Sequence, residues 1–310
     1  MKISVIFPTY QRSKDLKVAL DSLLEQKLLP FETIVVDQSD DDLTKNLCSE
    51  KKYEKIWIKY IYSDCKSPPK AKQIWMDAMS DKVDTFMFFD DDVKVMPNYL
   101  SEVEKFLEDN PDALWWGWKI LNFPNKKNII QDLWYFFFRR ISISHEFSTI
   151  DAQYKNQNCV QNVTSMIWCN MFYRRKVKDL WYKFVDWMKR YWHCDDTFFA
   201  YQIYNDYPSS LFYIPWPEVY HYESPAWRIL KIQWFKQVLY HRYIFWKTYK
   251  FSMWQYYWWC FWFLGIQCMK SDNKWNIIKT YFKTMRIIRK KWKTFVKNPN
   301  AVNEFIYNDN

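Results

Sequence analysis

The chain reads as an α/β protein: a mostly parallel central sheet flanked by helices, followed by an α-helical appendage at its carboxyl end. Short apolar runs alternate with helical stripes through residue 120, an order that requires crossover connections between parallel strands. Several of these runs end in acidic residues, where open sheets bind ligands. Beyond Ala226 the pattern changes to long aromatic and basic stretches of helical length.

Lys2 to Phe7 reads as the first strand. Ser13 can cap the helix that follows, in which Leu16, Ala19, Leu20, Leu23 and Leu24 form one apolar stripe. Pro30 ends that element, and Phe31 to Val36 is a second strand running into Asp37. Trp57 to Ile61 is a third strand, Lys70 to Met79 a helix, and Phe86 to Phe89 a fourth strand. A helix with Tyr99, Val103, Phe106 and Leu107 on one face leads to an aromatic strand over Leu114 to Ile120. Between Asn122 and Asn162 the pattern weakens, as expected of a binding loop or lid. A short strand from Met166 leads to Arg174 and Arg175, and Asp195 and Asp196 fit the first turn of a helix over Thr197 to Tyr204. Leu211 to Ile214 and Val219 to Tyr222 close the body as two short strands.

Composition narrows the function. The net charge of +10 is confined to the tail: from Ala226 to Asn310, 16 Lys and Arg stand against 3 Asp and Glu. The preceding residues are slightly acidic, so nucleic acid is not the expected partner, whereas an anionic membrane surface suits residues 226–297. Phe251 to Met269 is an uncharged run of 19 residues rich in Trp and Tyr. Such residues prefer the headgroup interface, favouring amphipathic helices lying on a membrane over a buried helical appendage or a span. The seven cysteines include no Cys-x-x-Cys pair. With no signal-peptide pattern at Lys2 to Phe7, a cytoplasmic protein attached to the inner face of a membrane is expected. Only two glycines are present, Gly117 and Gly265, so turns must rely on Asn, Asp, Ser and Pro.

The chemistry concentrates at Asp90, Asp91 and Asp92, directly behind the fourth strand. Three carboxylates held together either rise in pKa or share a cation. Because the carboxyl ends of parallel strands share one sheet edge, Asp37 must converge on them. Asp195, Asp196 and His221, arriving from the later segment, can complete a site for one hard divalent cation, Mn²⁺ or Mg²⁺, with positions open to phosphate oxygens. That arrangement suits departure of a diphosphate while a separate carboxylate takes a proton from an incoming hydroxyl.

Six segments, in order, resemble the inverting glycosyltransferases of family 2, which have the GT-A fold. They are Ser4 to Arg12 (Ser-Val-Ile-Phe-Pro-Thr-Tyr-Gln-Arg), Ile34 to Ser39 (Ile-Val-Val-Asp-Gln-Ser), Phe88 to Val93 (Phe-Phe-Asp-Asp-Asp-Val), Cys169 to Val177, the Cys194-Asp195-Asp196 run, and Val219 to Pro225 (Val-Tyr-His-Tyr-Glu-Ser-Pro). The resemblance implies a nucleotide-binding half over 1–120, an acceptor half over 121–225 and a helical region over 226–310. It implies transfer of a sugar from a nucleotide-diphosphate donor to a hydroxyl of a glycan or glycolipid. Pro8, Thr9, Tyr10, Arg12 and Asp37 would then hold the nucleotide, with Asp90 and Asp91 beside it. Asp90, Asp92 and His221 would bind the metal, and Asp196 would be the general base with Asp195 as its acidic neighbour. Lys72 stands where an Arg is usual and would meet phosphate as a point charge. Trp168 and Asn170 fall on the acceptor side. Trp75 and Trp168 replace small residues, predicting a narrowed acceptor site or a stacking platform for a sugar.

Overall fold

The computed structural model describes residues 1–122, 160–162, 169–189, 195–222, 224 and 230–307. One sheet runs β3-β2-β1-β4-β8-β6-β9-β5, with β7 also paired to β9. Its first half is parallel: β1 (Ile3–Thr9) lies between β2 (Glu32–Asp37) and β4 (Thr85–Phe89), and β3 (Ile58–Tyr62) is outside β2. Its second half mixes directions. β8 (Asn170–Arg174) is antiparallel to both β4 and β6 (Trp115–Ile120), while β9 (Leu211–His221) is parallel to β6 and antiparallel to β5 (Val93–Val95) and β7 (Gln161–Asn162).

Strand alternation builds one core on each side of this sheet. Val5, Phe7, Met87 and Phe89 pack with Leu16 and Leu20 of α1 (Ser13–Leu24) and Val103 of α4 (Tyr99–Asp109). Ile6, Phe86 and Phe88 pack with Met76 of α3 (Pro68–Ala78) and Phe199 of α6 (Asp195–Asp206). Trp75 belongs to this second core, fully buried with its ring centroid 3.9 Å from that of Phe88. It therefore supplies packing beneath the site and not a sugar-stacking face, which corrects the expectation drawn from its position in the motif. The remaining short helices are α2 (Leu43–Cys48) and α5 (Lys176–Asp179).

The strands and main helices lie within a few residues of their sequence expectations. Differences occur where the determining contact is non-local. The first helix stops at Leu24, well before Pro30. The two final strands are one, β9, because a register shift against β6 between Trp118 and Lys119 absorbs the Pro215 to Pro217 stretch. α2, β5 and β7 have no clear periodic signal in so few residues.

The carboxyl-terminal segment is helical: α7 (Lys231–Thr248), α8 (Met253–Lys270), α9 (Lys274–Lys297) and α10 (Val302–Tyr307). These helices share a third core with Phe198 and Tyr201 of α6. α8 buries Tyr256, Trp259, Cys260 and Phe263 but exposes Trp254, Tyr257, Phe261 and Met269. Among the described residues, no helix is long and apolar enough to cross a membrane.

With so few glycines, left-handed backbone falls to other residues: Gln11 (φ 57°), Trp57 (φ 48°), Trp181 (φ 64°) and Lys250 (φ 58°). Trp57 is largely exposed. Trp57→Gly is expected to raise the urea midpoint, relieving about 1–2 kcal/mol of strain and returning roughly half as unfolded-chain entropy. A lowered midpoint would mean that the indole's own contacts outweigh the strain.

Candidate active site

The site forms because β1 lies between β2 and β4, which brings Thr9, Asp37 and the Asp90 to Asp92 run to one sheet edge. The carboxylates there are buried, and each is held differently. Thr9 donates its hydroxyl to Asp91 Oδ2 at 2.8 Å, and the Arg12 guanidinium donates to Asp91 Oδ1 at 3.1 Å while lying 3.7 Å from Asp92. Asp92 Oδ2 accepts the Ser224 backbone N–H at 2.8 Å, and its Oδ1 lies 3.1 Å from His221 Nε2. The same imidazole nitrogen lies 3.6 Å from Asp90 Oδ2.

His221 arrives by topology. Antiparallel pairing of β5 with β9 sets Val93 opposite His221, so the strand following the acidic run carries the histidine back to it. Asn122 holds that backbone position, accepting the His221 N–H at 2.9 Å and donating to the His221 carbonyl at 2.6 Å. Asn122 lies where the sequence pattern weakens, with no motif to single it out.

Electrostatics separates the three aspartates. Burial, then repulsion from Asp92, pushes Asp90 up to about 8, against the pull of His221 and Lys72. Burial pushes Asp91 up to about 6 despite Arg12. Burial acts on Asp92 too, but its contacts with His221, the Ser224 amide and Arg12 outweigh it and hold it below the ordinary carboxylate range.

One ligand atom from each of Asp90, Asp92 and His221 lies within 4.8 Å of the others. Two carboxylate oxygens and an imidazole nitrogen form a set that suits Mn²⁺ or Mg²⁺, and a divalent charge would relieve the repulsion that raises Asp90.

A second charged cluster lies nearby. Lys72 on α3 donates to Asp196 Oδ1 at 2.6 Å and to Asp195 Oδ2 at 2.9 Å, all three side chains being buried. The sequence reading set Lys72 against donor phosphate; here its ammonium is bound to the acidic pair instead. Burial would discharge the lysine, but Asp195 and then Asp196 outweigh it and hold it above the usual lysine range. Burial, then Asp195, push Asp196 well above the usual carboxylate range, against the pull of Lys72. Asp196 therefore holds a proton more tightly than an exposed aspartate, which makes its ionised form the stronger base.

On the other flank, Asp37 Oδ2 accepts the Tyr60 hydroxyl at 2.9 Å and Oδ1 accepts the Ser39 N–H at 2.9 Å. Pro8 pairs with Val36 within the sheet, and the Tyr10 ring lies 5.1 Å from the Lys66 ammonium. Tyr60 and Lys66 have no signal in the sequence, because strand β3 and the turn after it carry no recognisable spacing. Asn170 is buried opposite Phe89, one residue before Asp90. Trp168 lies outside the described residues.

A family model described as "Glycosyl transferase family 2" matches residues 4–181. No curated protein sequence matches the chain. Among solved structures, S. aureus TarS 1-349 is similar at 18% identity and a TM-score of 0.51, covering 79% of this chain and 65% of that one. TarS 1-349 in complex with UDP is similar at 15% identity and a TM-score of 0.51, covering 95% of this chain and 74% of that one. Against the longer S. aureus TarS the chain spans 39% of the length, at 18% identity and a TM-score of 0.50. The fold is GT-A.

Removing the buried ammonium tests the second cluster. Lys72→Met is expected to destabilise the protein by about 3–5 kcal/mol near pH 7, the range for breaking a buried ion pair. Asp196 already lies above its unfolded value and rises further once the opposing pull of Lys72 is gone, so the deficit is full at high pH and shrinks as its proton returns on acidification. Denaturant unfolding at pH 5 and pH 8 checks this; a deficit independent of pH would point to packing.

Proposed function

Because the chain belongs to glycosyl transferase family 2, we propose that it transfers a sugar from a nucleotide-diphosphate donor to a hydroxyl of a glycan or lipid-linked glycan, with inversion and with a divalent cation. The supporting observation is the convergence of Asp90, Asp92 and His221 at strand ends, beside the Lys72–Asp196 pair that α3 and α6 bring to Asp90.

In this reading Thr9, Tyr10 and Asp37 contact base and ribose, Pro8 shapes the end of β1 that presents them, and Arg12 and Asp91 brace the donor side. Asp90, Asp92 and His221 would hold Mn²⁺ or Mg²⁺, which when bound neutralises charge on the departing diphosphate. Asp196 takes the proton from the acceptor hydroxyl at a carboxylate oxygen. Its raised proton affinity suits that task at neutral pH, and Lys72 and Asp195 orient it. Asn170, with Trp168, would face the acceptor. Residues 1–225 would be the catalytic unit and 226–310 a membrane-seating region.

Two features favour that seating. Trp254, Phe261, Trp275 and Phe282 stand exposed on α8 and α9, and α9 carries nine Lys and Arg with no Asp or Glu. Aromatic rings beside a purely basic helix complement an anionic headgroup layer. An enzyme so placed would act at the cytoplasmic face of a membrane.

Asp196→Asn is expected to lower transfer by about 10²–10⁴-fold, the contribution of a general base, while donor binding persists. Asp92→Ala should abolish manganese-dependent donor binding. A panel of nucleotide sugars assayed with and without manganese checks both, and near-wild-type turnover by Asp196→Asn would sink the base assignment. Trp254→Ser with Phe261→Ser should weaken co-sedimentation with phosphatidylglycerol vesicles roughly tenfold or more, since burying one large apolar side chain contributes about 1.5–3 kcal/mol. Unchanged sedimentation would exclude this face as the contact.

A further inference from the structure

Residues 183–189, between α5 and α6, form no helix or strand, yet side chains from three helices hold them. On one side lies α3. The Phe184 N–H donates to Gln73 Oε1 at 3.1 Å, and the Phe184 ring centroid lies 5.6 Å from the Lys72 ammonium. Ser67, the N-cap residue of α3, makes no capping bond to its own helix and donates its hydroxyl to the Met188 carbonyl at 2.6 Å. On the other side lies α6. Phe184 stacks on Phe199 with ring centroids 3.9 Å apart, Trp187 meets Phe198 edge to face at 5.7 Å, and Gln202 donates to the Lys183 carbonyl at 3.0 Å. The far end of the chain closes the arrangement: Asn303 of α10 donates to the Trp187 carbonyl at 2.7 Å, and the Tyr307 hydroxyl donates to the Lys189 carbonyl. Gln237 of α7 donates in turn to that hydroxyl. Three successive carbonyls, those of Trp187, Met188 and Lys189, are thus each bound by a side chain from elsewhere in the chain.

We infer that residues 183–189 are a strap through which α10 positions Asp196, and that Asn303 and Tyr307 are positioning residues for the transfer reaction; the kinetic part of this rests on the proposed function. A backbone carbonyl withdrawn from water is costly to leave unpaired, so the strap cannot slide without breaking bonds along its length. It lies between the helix that carries Lys72 and the helix that opens with Asp195 and Asp196, and its packing therefore sets how far apart α3 and α6 stand. That separation fixes the reach of the Lys72–Asp196 ion pair. The residues that hold the strap from outside lie 116 and 118 positions further along the chain. The carboxyl-terminal helices thus have a task at the sheet edge that is separate from any membrane contact. Small displacements are enough to matter there, since a misplacement of about 1 Å at a reacting group can lower a rate about 10²-fold.

The test uses the full chain with Tyr307→Phe, which deletes one hydroxyl, and with Tyr307→Phe plus Asn303→Leu; Glu304→Gln, at an exposed position of the same helix, is the control. Circular dichroism melts set a temperature at which every variant is folded. Amide hydrogen exchange read by mass spectrometry should rise in peptides covering α6, about tenfold in the double variant, while α1 and the control stay at wild-type rates. With the donor that the nucleotide-sugar panel selects, kcat should fall about 10- to 100-fold and the donor KM should change less than about twofold. In an Asp196→Asn background the same substitutions should lower kcat by less than about twofold, because the group they position is gone. Wild-type exchange in α6 of both variants overturns the strap. So does a loss of kcat that persists undiminished beside Asp196→Asn, which marks a general weakening of the fold. Wild-type protein that turns over no member of the panel removes the transfer reading alone, and exchange in α6 still decides the strap.

Discussion

A buried ammonium joins the two halves of this molecule. Lys72 belongs to a helix packed on the parallel half of the sheet, and its partners Asp195 and Asp196 open a helix of the later half. Exchanging water for protein around two carboxylates is costly unless their charge is answered. The lysine answers it, and in doing so fixes the distance between the end of β4 and the start of α6. Phe88, which precedes the acidic run, lies under the same ammonium at 5.8 Å. Moving any one of these groups disturbs the others, so the Asp90–Asp92–His221 group and the Asp195–Asp196 pair are held in one frame.

That frame explains why three adjacent aspartates behave differently. Asp91 faces Arg12 and Thr9, Asp92 faces His221 and a backbone amide, and Asp90 receives the least direct support. Identical side chains acquire separate proton affinities from partners supplied by β1, β9 and the turn after β9. A chain segment with a period of one residue thus serves several neighbours at once.

Much of this arrangement was readable in the sequence. Strand ends at Thr9, Asp37 and Phe89 follow from apolar runs that stop abruptly, and parallel topology then requires the acidic residues to meet. The Asp90, Asp92 and His221 grouping was predictable because each lies at a strand end. What could not be read was pairing decided by side-chain reach. Lys72 looked like a phosphate contact because its neighbours matched a motif, yet a long flexible stem can reach a carboxylate 123 residues away. Trp75 looked like a stacking platform or a narrowing of the acceptor site because it stands where the motif has a small residue, and proved to be core because it packs on Phe86 and Phe88. Asn122, through two hydrogen bonds to the His221 backbone, and Tyr60, through one to Asp37, act by contacts that have no sequence period.

The left-handed turns have a consequence beyond their local strain. Gln11, Trp57, Trp181 and Lys250 take conformations usually given to glycine, in a chain with only two glycines. Every residue with a Cβ samples fewer backbone states when unfolded than glycine does. The denatured ensemble of this protein is accordingly narrowed before folding begins, and less disorder is surrendered when the sheet forms. Strain at a few turns is exchanged for a smaller entropic deficit along the whole chain, which places part of this protein's stability in the state it leaves and not in the contacts it makes.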